Sequence, residues 1–176
     1  MKVTIKIPEG VSVSQSLAVL TVKGKYGEVK RDFSSPYAKV TPAGELIVVE
    51  SPKDHKRYKA QVGSFCAHIE NMLKGVVHGF RYEMEIVQSH FPPKVTVQGS
   101  TVNLENFIGE KHGRKVTLAK GVKAQVKGKT VIVEGADLEA VANSAAKIEQ
   151  MSRIPGKDHR TFQDGIYITK KKELMS

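Results

Sequence analysis

Six histidines stand at positions 55, 68, 78, 90, 112 and 159, and none has another histidine three or four residues away, so no helical metal site follows. The single cysteine, Cys66, excludes an intrachain disulfide and a zinc cluster. It falls on the apolar stripe of a predicted helix, and His68, two residues on, points to another part of that helix surface. Cys66 therefore reads as a small core residue rather than an activated thiol. The fragment GKYG at Gly24–Gly27 lies between two predicted strands and opens no helix, which makes it a hairpin turn and not a phosphate loop. Glu83 and Glu85 share one face of a predicted strand and read as a solvated face; a catalytic pair needs a pocket and a raised pKa. No reaction is implied, and the chemistry that remains is the binding of anions.

The stretch from Lys157 to Lys172, KDHRTFQDGIYITKKK, is the richest candidate. Solvated tails are poor in large apolar residues, yet Ile154, Phe162, Ile166, Tyr167 and Ile168 lie here. The alternation Ile166-Tyr167-Ile168 can add a short strand or dock on the preceding domain. Phe162 and these three residues then hold the loop, and Lys157, His159 and Arg160 are presented from a fixed base, with Thr161 beside them. Fixed cations suit phosphates, and Phe162 or His159 can stack on a base. Asp164-Gly165 is a turn signal, so Asp164 serves the backbone rather than a metal. Arg153, Lys170, Lys171 and Lys172 add to the charge, and Lys111, Arg114 and Lys115 form a second cluster upstream. Further cations stand at Lys23, Lys25, Lys30 and Arg31, and at Lys53, Lys56, Arg57 and Lys59; Lys23 and Lys59 read as ordinary surface lysines.

The whole chain supports this reading. Its 176 residues carry a net charge of +10 and a pI near 9.6, which favours polyanionic partners. With 40% hydrophobic residues the chain has a core and is not disordered. A membrane surface is the other anionic partner, but no basic amphipathic helix, transmembrane run or lipidation motif is present. The opening MKVTIKIPEG alternates charged and apolar residues and lacks the apolar run of a signal peptide, so a cytoplasmic location is expected. No cofactor is implied.

The elements that must position these groups repeat. AHIENM at Ala67–Met72 returns as AKIEQM at Ala146–Met151, 79 residues later. LIVVE at Leu46–Glu50 returns as VIVE at Val131–Glu134, and TVKG at Thr21–Gly24 as TVQG at Thr96–Gly99. Three matches in one order imply two copies of one unit. In the first, two hairpins (18–23 with 27–33, and 37–41 with 45–50) precede a helix over 57–73 with Val62, Phe65, Cys66, Ile69 and Leu73 as its stripe, ended by Gly75. In the second, strands at 94–99, 100–105, 115–119, 123–126 and 130–134 precede a helix over 138–152, with Asp137 as N-cap. Asn106–Arg114, NFIGEKHGR, is an insertion peculiar to the second copy. The expected class is α+β: two tandem units, 1–79 and 80–176, each a mainly antiparallel sheet with one helix across one face, the second with a basic C-terminal extension that binds RNA.

The run QMSRIPGKDHRTFQDGIYITKK, Gln150–Lys171, resembles the C-terminal signature of the sixth protein of the large ribosomal subunit, in its archaeal and eukaryotic branch. LTVKG and GEVKRDF, from residue 20 onward, resemble that family's start; HGFRYEMEIVQSHFP resembles its inter-unit segment, and NFIGEK at Asn106–Lys111 also fits. The absence of Trp after Glu50 leans toward the archaeal side. The resemblance implies a structural, non-enzymatic protein that binds large-subunit ribosomal RNA near the sarcin–ricin loop. Neighbouring ribosomal proteins would be partners, translational GTPases would dock nearby, and the second unit with its tail would make most of the RNA contact. The alternative is a free-standing RNA-binding adaptor with the same duplicated fold.

Overall fold

Among the described residues, short runs, many of them separated by glycine turns, give thirteen strands, and two longer runs of three-four periodicity give two helices. The computed structural model describes residues 1–158 and 160–175. His159, one of the residues expected to meet RNA, lies outside the described residues. The chain divides into two units, Met1–Gly79 and Phe80–Ser176.

Unit one contains β1 (Lys2–Lys6), β2 (Ser12–Ser16), β3 (Val19–Gly24), β4 (Gly27–Asp32), β5 (Lys39–Ala43), β6 (Leu46–Glu50) and α1 (Lys56–His78). Unit two contains β7 (Phe80–Val87), β8 (Lys94–Gln98), β9 (Thr101–Glu105), β10 (Arg114–Thr117), β11 (Val122–Lys127), β12 (Thr130–Gly135), α2 (Leu138–Met151) and β13 (Gly165–Leu174). Six strands and a helix recur in the same order, and the pairings recur with them. The sheet β2-β3-β4 matches β8-β9-β10, and β1-β6-β5 matches β7-β12-β11. All pairs are antiparallel. The α+β duplication holds, with each unit's strands split into two sheets rather than joined in one.

Equivalent residues do equivalent work. Ile69 of α1 and Ile148 of α2 are both fully buried, as are Ile47 and Val49 of β6 and Val131 and Val133 of β12. The TVKG and TVQG match is different. Thr21–Gly24 ends the central strand β3, whereas Thr96–Gly99 runs out of β8, whose counterpart is β2. The two glycines answer different needs: a Cβ on Gly24 would stand 2.7 Å from the Val76 carbonyl oxygen, while Gly99 sits in a turn at φ +60°. The two segments therefore occupy non-equivalent places in the two units.

Helix α1 also runs past the expected stop. Gly75 is buried inside it, Val76 continues the apolar stripe, and Gly79, at φ 72°, caps the end by donating its N–H to the Gly75 carbonyl at 2.8 Å. The cap of α2 is as expected: the Asp137 side chain accepts from the Glu139 N–H at 3.0 Å.

Unit two carries two additions. A segment of eight residues joins β9 to β10 where Lys25-Tyr26 joins β3 to β4, and β13 is laid along the free side of β7, giving the order β11-β12-β7-β13. The tail strand is ten residues long, far beyond Ile166–Ile168. Ile166 is fully buried. Ser152, just past α2 and itself buried, accepts the Ile166 N–H at 2.9 Å through its hydroxyl, which in turn donates to the Glu149 carbonyl at 2.9 Å. Tyr167, on the opposite face of β13, is 39% exposed, so its ring is not the buried anchor that the sequence suggested. Strand alternation puts Ile166 and Ile168 inside and Tyr167 outside.

Candidate nucleic-acid interface

The tail loop is held by a buried carboxylate. Asp164 is 2% exposed and accepts from the backbone N–H of Ser89 at 2.8 Å and of His90 at 3.0 Å. Its Oδ2 also lies 2.6 Å from His90 Nδ1. Burial alone pushes this carboxyl up; the hydrogen bonds from the His90 ring and from the His90 and Ser89 amides outweigh that and bring it down to about 2. Asp164 thus serves backbone, but the backbone of the segment after β7 rather than its own turn.

On this support the aromatic and basic groups are layered. His90 stacks on Phe162 with ring centroids 4.8 Å apart and planes 17° from parallel, and Lys157 Nζ sits 5.4 Å from the Phe162 centroid. The Asp158 carbonyl accepts from the Thr161 N–H at 3.1 Å and the Phe162 N–H at 2.9 Å, closing the turn. Arg160 donates to the Asp158 carboxylate, which holds its guanidinium pKa above the ordinary value, while its side chain stays 90% exposed. Phe162 is half-buried and already carries a ring partner.

The insertion between β9 and β10 folds around Phe107, which is 2% exposed in a 3-10 turn whose neighbours Asn106 and Ile108 adopt positive φ. Arg114 ties it down. Its guanidinium lies 4.9 Å from the Phe107 ring, donates to Glu110 through Nε at 2.8 Å and through Nη2, and donates through Nη1 to the carbonyls of Met151 at 2.7 Å and Arg153 at 2.9 Å. Those bonds hold the Glu110 carboxyl below the usual carboxylate range. Most of the five guanidinium donors are therefore committed inside the protein.

Insertion and tail meet at the segment after β7. Asn106 Nδ2 donates to the Pro92 carbonyl at 3.2 Å, and Asp164 holds Ser89 and His90 a few residues earlier. Arg114 makes the second link, from the insertion to the chain leaving α2. Lys111, Lys115, Arg153, Lys157 and Lys171 are exposed, and among the described residues none forms an ion pair. Lys170 is engaged instead with Glu83 at 3.0 Å and Glu173 at 3.6 Å, and Glu83 chiefly raises its pKa. Glu83 is thus part of an ion pair on the sheet's outer face, beside Arg81–Glu134 at 2.7 Å. Sequence reasoning missed Ser89, His90, Phe107, Glu110 and Ser152. Only the adjacent Pro92-Pro93 break marked the first two.

Among the described residues no group of three or more His, Cys, Asp or Glu could hold a metal ion, and no helix is long and apolar enough to cross a membrane. The fold and this surface define a class: a duplicated α+β protein whose second copy gathers exposed cations from two added segments. The chain belongs to the ribosomal protein L6 family, whose model matches residues 7–79 and 91–165, one match per unit, and the family is structural rather than enzymatic. It is similar to the large ribosomal subunit protein uL6 of Haloarcula marismortui, at 43% identity over 97% of this chain and 96% of that one. The proteins of the same name from Sulfurisphaera tokodaii, at 45% identity over 98% and 93%, and from Aeropyrum pernix, at 47% over 93% and 91%, are similar along the same length.

Proposed function

We propose that this chain is a structural component of the large ribosomal subunit in the cytoplasm, and that it binds large-subunit ribosomal RNA through unit two. The observation that carries the RNA reading is the meeting of insertion and tail at Ser89–Pro92, which turns two basic segments distant in sequence into one surface. Lys111, Lys115, Arg153, Lys157, Arg160, Thr161 and Lys171 are the contacts in this reading, with His159 among them by sequence. Arg114, Phe162 and Lys170 hold the surface in place. Phosphate contacts position such a protein on its RNA and supply most of the affinity. The family resemblance supports a site near the sarcin–ricin loop, where translational GTPases dock, with other ribosomal proteins as neighbours.

Footprinting the full chain on whole large-subunit ribosomal RNA tests this. Protection that clusters and includes the sarcin–ricin region is expected. Protection elsewhere overturns the location, and no protection overturns the RNA reading. A free-standing adaptor would bind RNA yet wash off large subunits at high salt.

A further inference from the structure

His90 belongs to neither basic segment, yet it is oriented as firmly as a core residue. Its Nδ1 edge is held at 2.6 Å by buried Asp164, its face lies on Phe162, and its own N–H is fixed by the same carboxylate, while its side chain keeps 36% of its surface. An ionised carboxylate only accepts hydrogen bonds, so the Nδ1 atom carries a proton, and in the neutral ring Nε2 is left as an acceptor. Nε2 makes no hydrogen bond among the described residues. The backbone alone does not explain the ring. Asp164 would satisfy the Ser89 and His90 amides whatever side chain stood at position 90. Phe162, on which the ring stacks, also carries Lys157, whose Nζ lies 5.4 Å from its centroid.

We propose that His90 is a further RNA-contacting residue, its Nε2 accepting a hydrogen bond from a ribose 2′-hydroxyl of the bound RNA. This rests on the RNA reading of unit two. The exposed lysines and Arg160 of unit two attract any phosphate backbone, DNA or RNA alike. A fixed acceptor is what that set lacks, and the 2′-hydroxyl is the donor that separates the two polymers. Asp164 and Phe162 are positioning residues for it.

The test uses the full chain and the RNA segment it protects, made once unmodified and then with single 2′-deoxy substitutions. One deoxy position is expected to weaken the parent by about three- to tenfold, the net worth of one hydrogen bond. His90→Asn, whose amide can still donate to Asp164, should lose a similar factor on unmodified RNA and be indifferent to that deoxy position. His90→Gln, which places an acceptor near Nε2, should recover part of the sensitivity, and His90→Phe, which keeps the stack on Phe162, should not. Melting temperatures of all three are recorded, and a variant that melts early is set aside in favour of the other two. If every deoxy position costs His90→Asn and His90→Phe what it costs the parent, the 2′-hydroxyl contact is overturned while the RNA reading stands. If the parent protects no segment at all, both fall.

Discussion

Arg114 Nη1 donates to the Met151 carbonyl at 2.7 Å, joining the first residue of β10 to the last residue of α2. The orphan carbonyls at a helix end need partners, and here a guanidinium supplies one while its other donors grip Glu110 of the insertion. The residue that the sequence suggests as a phosphate contact thus ties the insertion to the chain leaving α2.

Arg114→Lys should therefore behave as a stability variant. A lysine cannot reproduce the fork, and the loss of several charge-assisted bonds should cost about 2–3 kcal/mol, read as a lower denaturation midpoint. RNA affinity should fall with it, because Lys111 and Lys115 lose their fixed base. A variant that melts like the parent but binds weakly would make Arg114 a direct contact instead.

Asp164 sets a pH dependence. Its carboxyl titrates at about 2 in the folded chain, below the ordinary 3.8. A group depressed on folding adds stability above its unfolded value, and that stability is lost as pH falls through the folded one. Between pH about 4 and about 2 the parent should lose roughly 2 kcal/mol more than Asp164→Asn does. Denaturant titrations at pH 5, 4, 3 and 2 would read it; parallel acid curves for the two proteins would contradict it.

The tail should separate stability from binding. Ile166→Ala removes a fully buried side chain and should cost about 2–4 kcal/mol. Tyr167→Ala, on the exposed face, should change the melting point little. Arg160→Ala should leave the melting point unchanged and weaken RNA binding, since its side chain is 90% exposed and its bonds go to Asp158, two residues away. Thermal melts beside RNA titrations decide each one. Equal melting of Ile166→Ala and the parent would mean that β13 is not docked.

What the residues announce locally was legible. The helix stripes around Ile69 and Ile148, the Asp137 cap, most hairpins and the insertion all follow from spacing within about a dozen residues. Strands β1 and β2 escaped because they are short and half exposed, and SVSQS of β2 carries a single apolar residue. The split into two sheets is a matter of pairing between distant strands, which no local pattern states. The end of α1 shows the limit of a glycine rule: Gly75 and Gly79 both qualify, and only the burial of Val76 selects the second. The surface divides the same way. Its cations could be read from composition, but the bond from Asp164 to His90 spans 74 residues and that from Arg114 to Met151 spans 37, so their convergence, and the internal commitment of Arg114 and Lys170, could not.

The most direct measurement compares two variants of equal charge change. One carries Lys111→Gln, Lys115→Gln, Lys157→Gln and Arg160→Gln in unit two; the other carries Lys53→Gln, Lys56→Gln, Arg57→Gln and Lys59→Gln in unit one. Each lowers the net charge from +10 to +6. Affinity for large-subunit ribosomal RNA is measured against salt concentration. The unit-two variant should bind much more weakly, with the slope of log K against log salt shallower by about 3, as four lost phosphate contacts require. The unit-one variant should keep most of the parent's affinity and slope. Equal losses in both variants, or a larger loss in unit one, would contradict the assignment of the RNA surface to the insertion and tail.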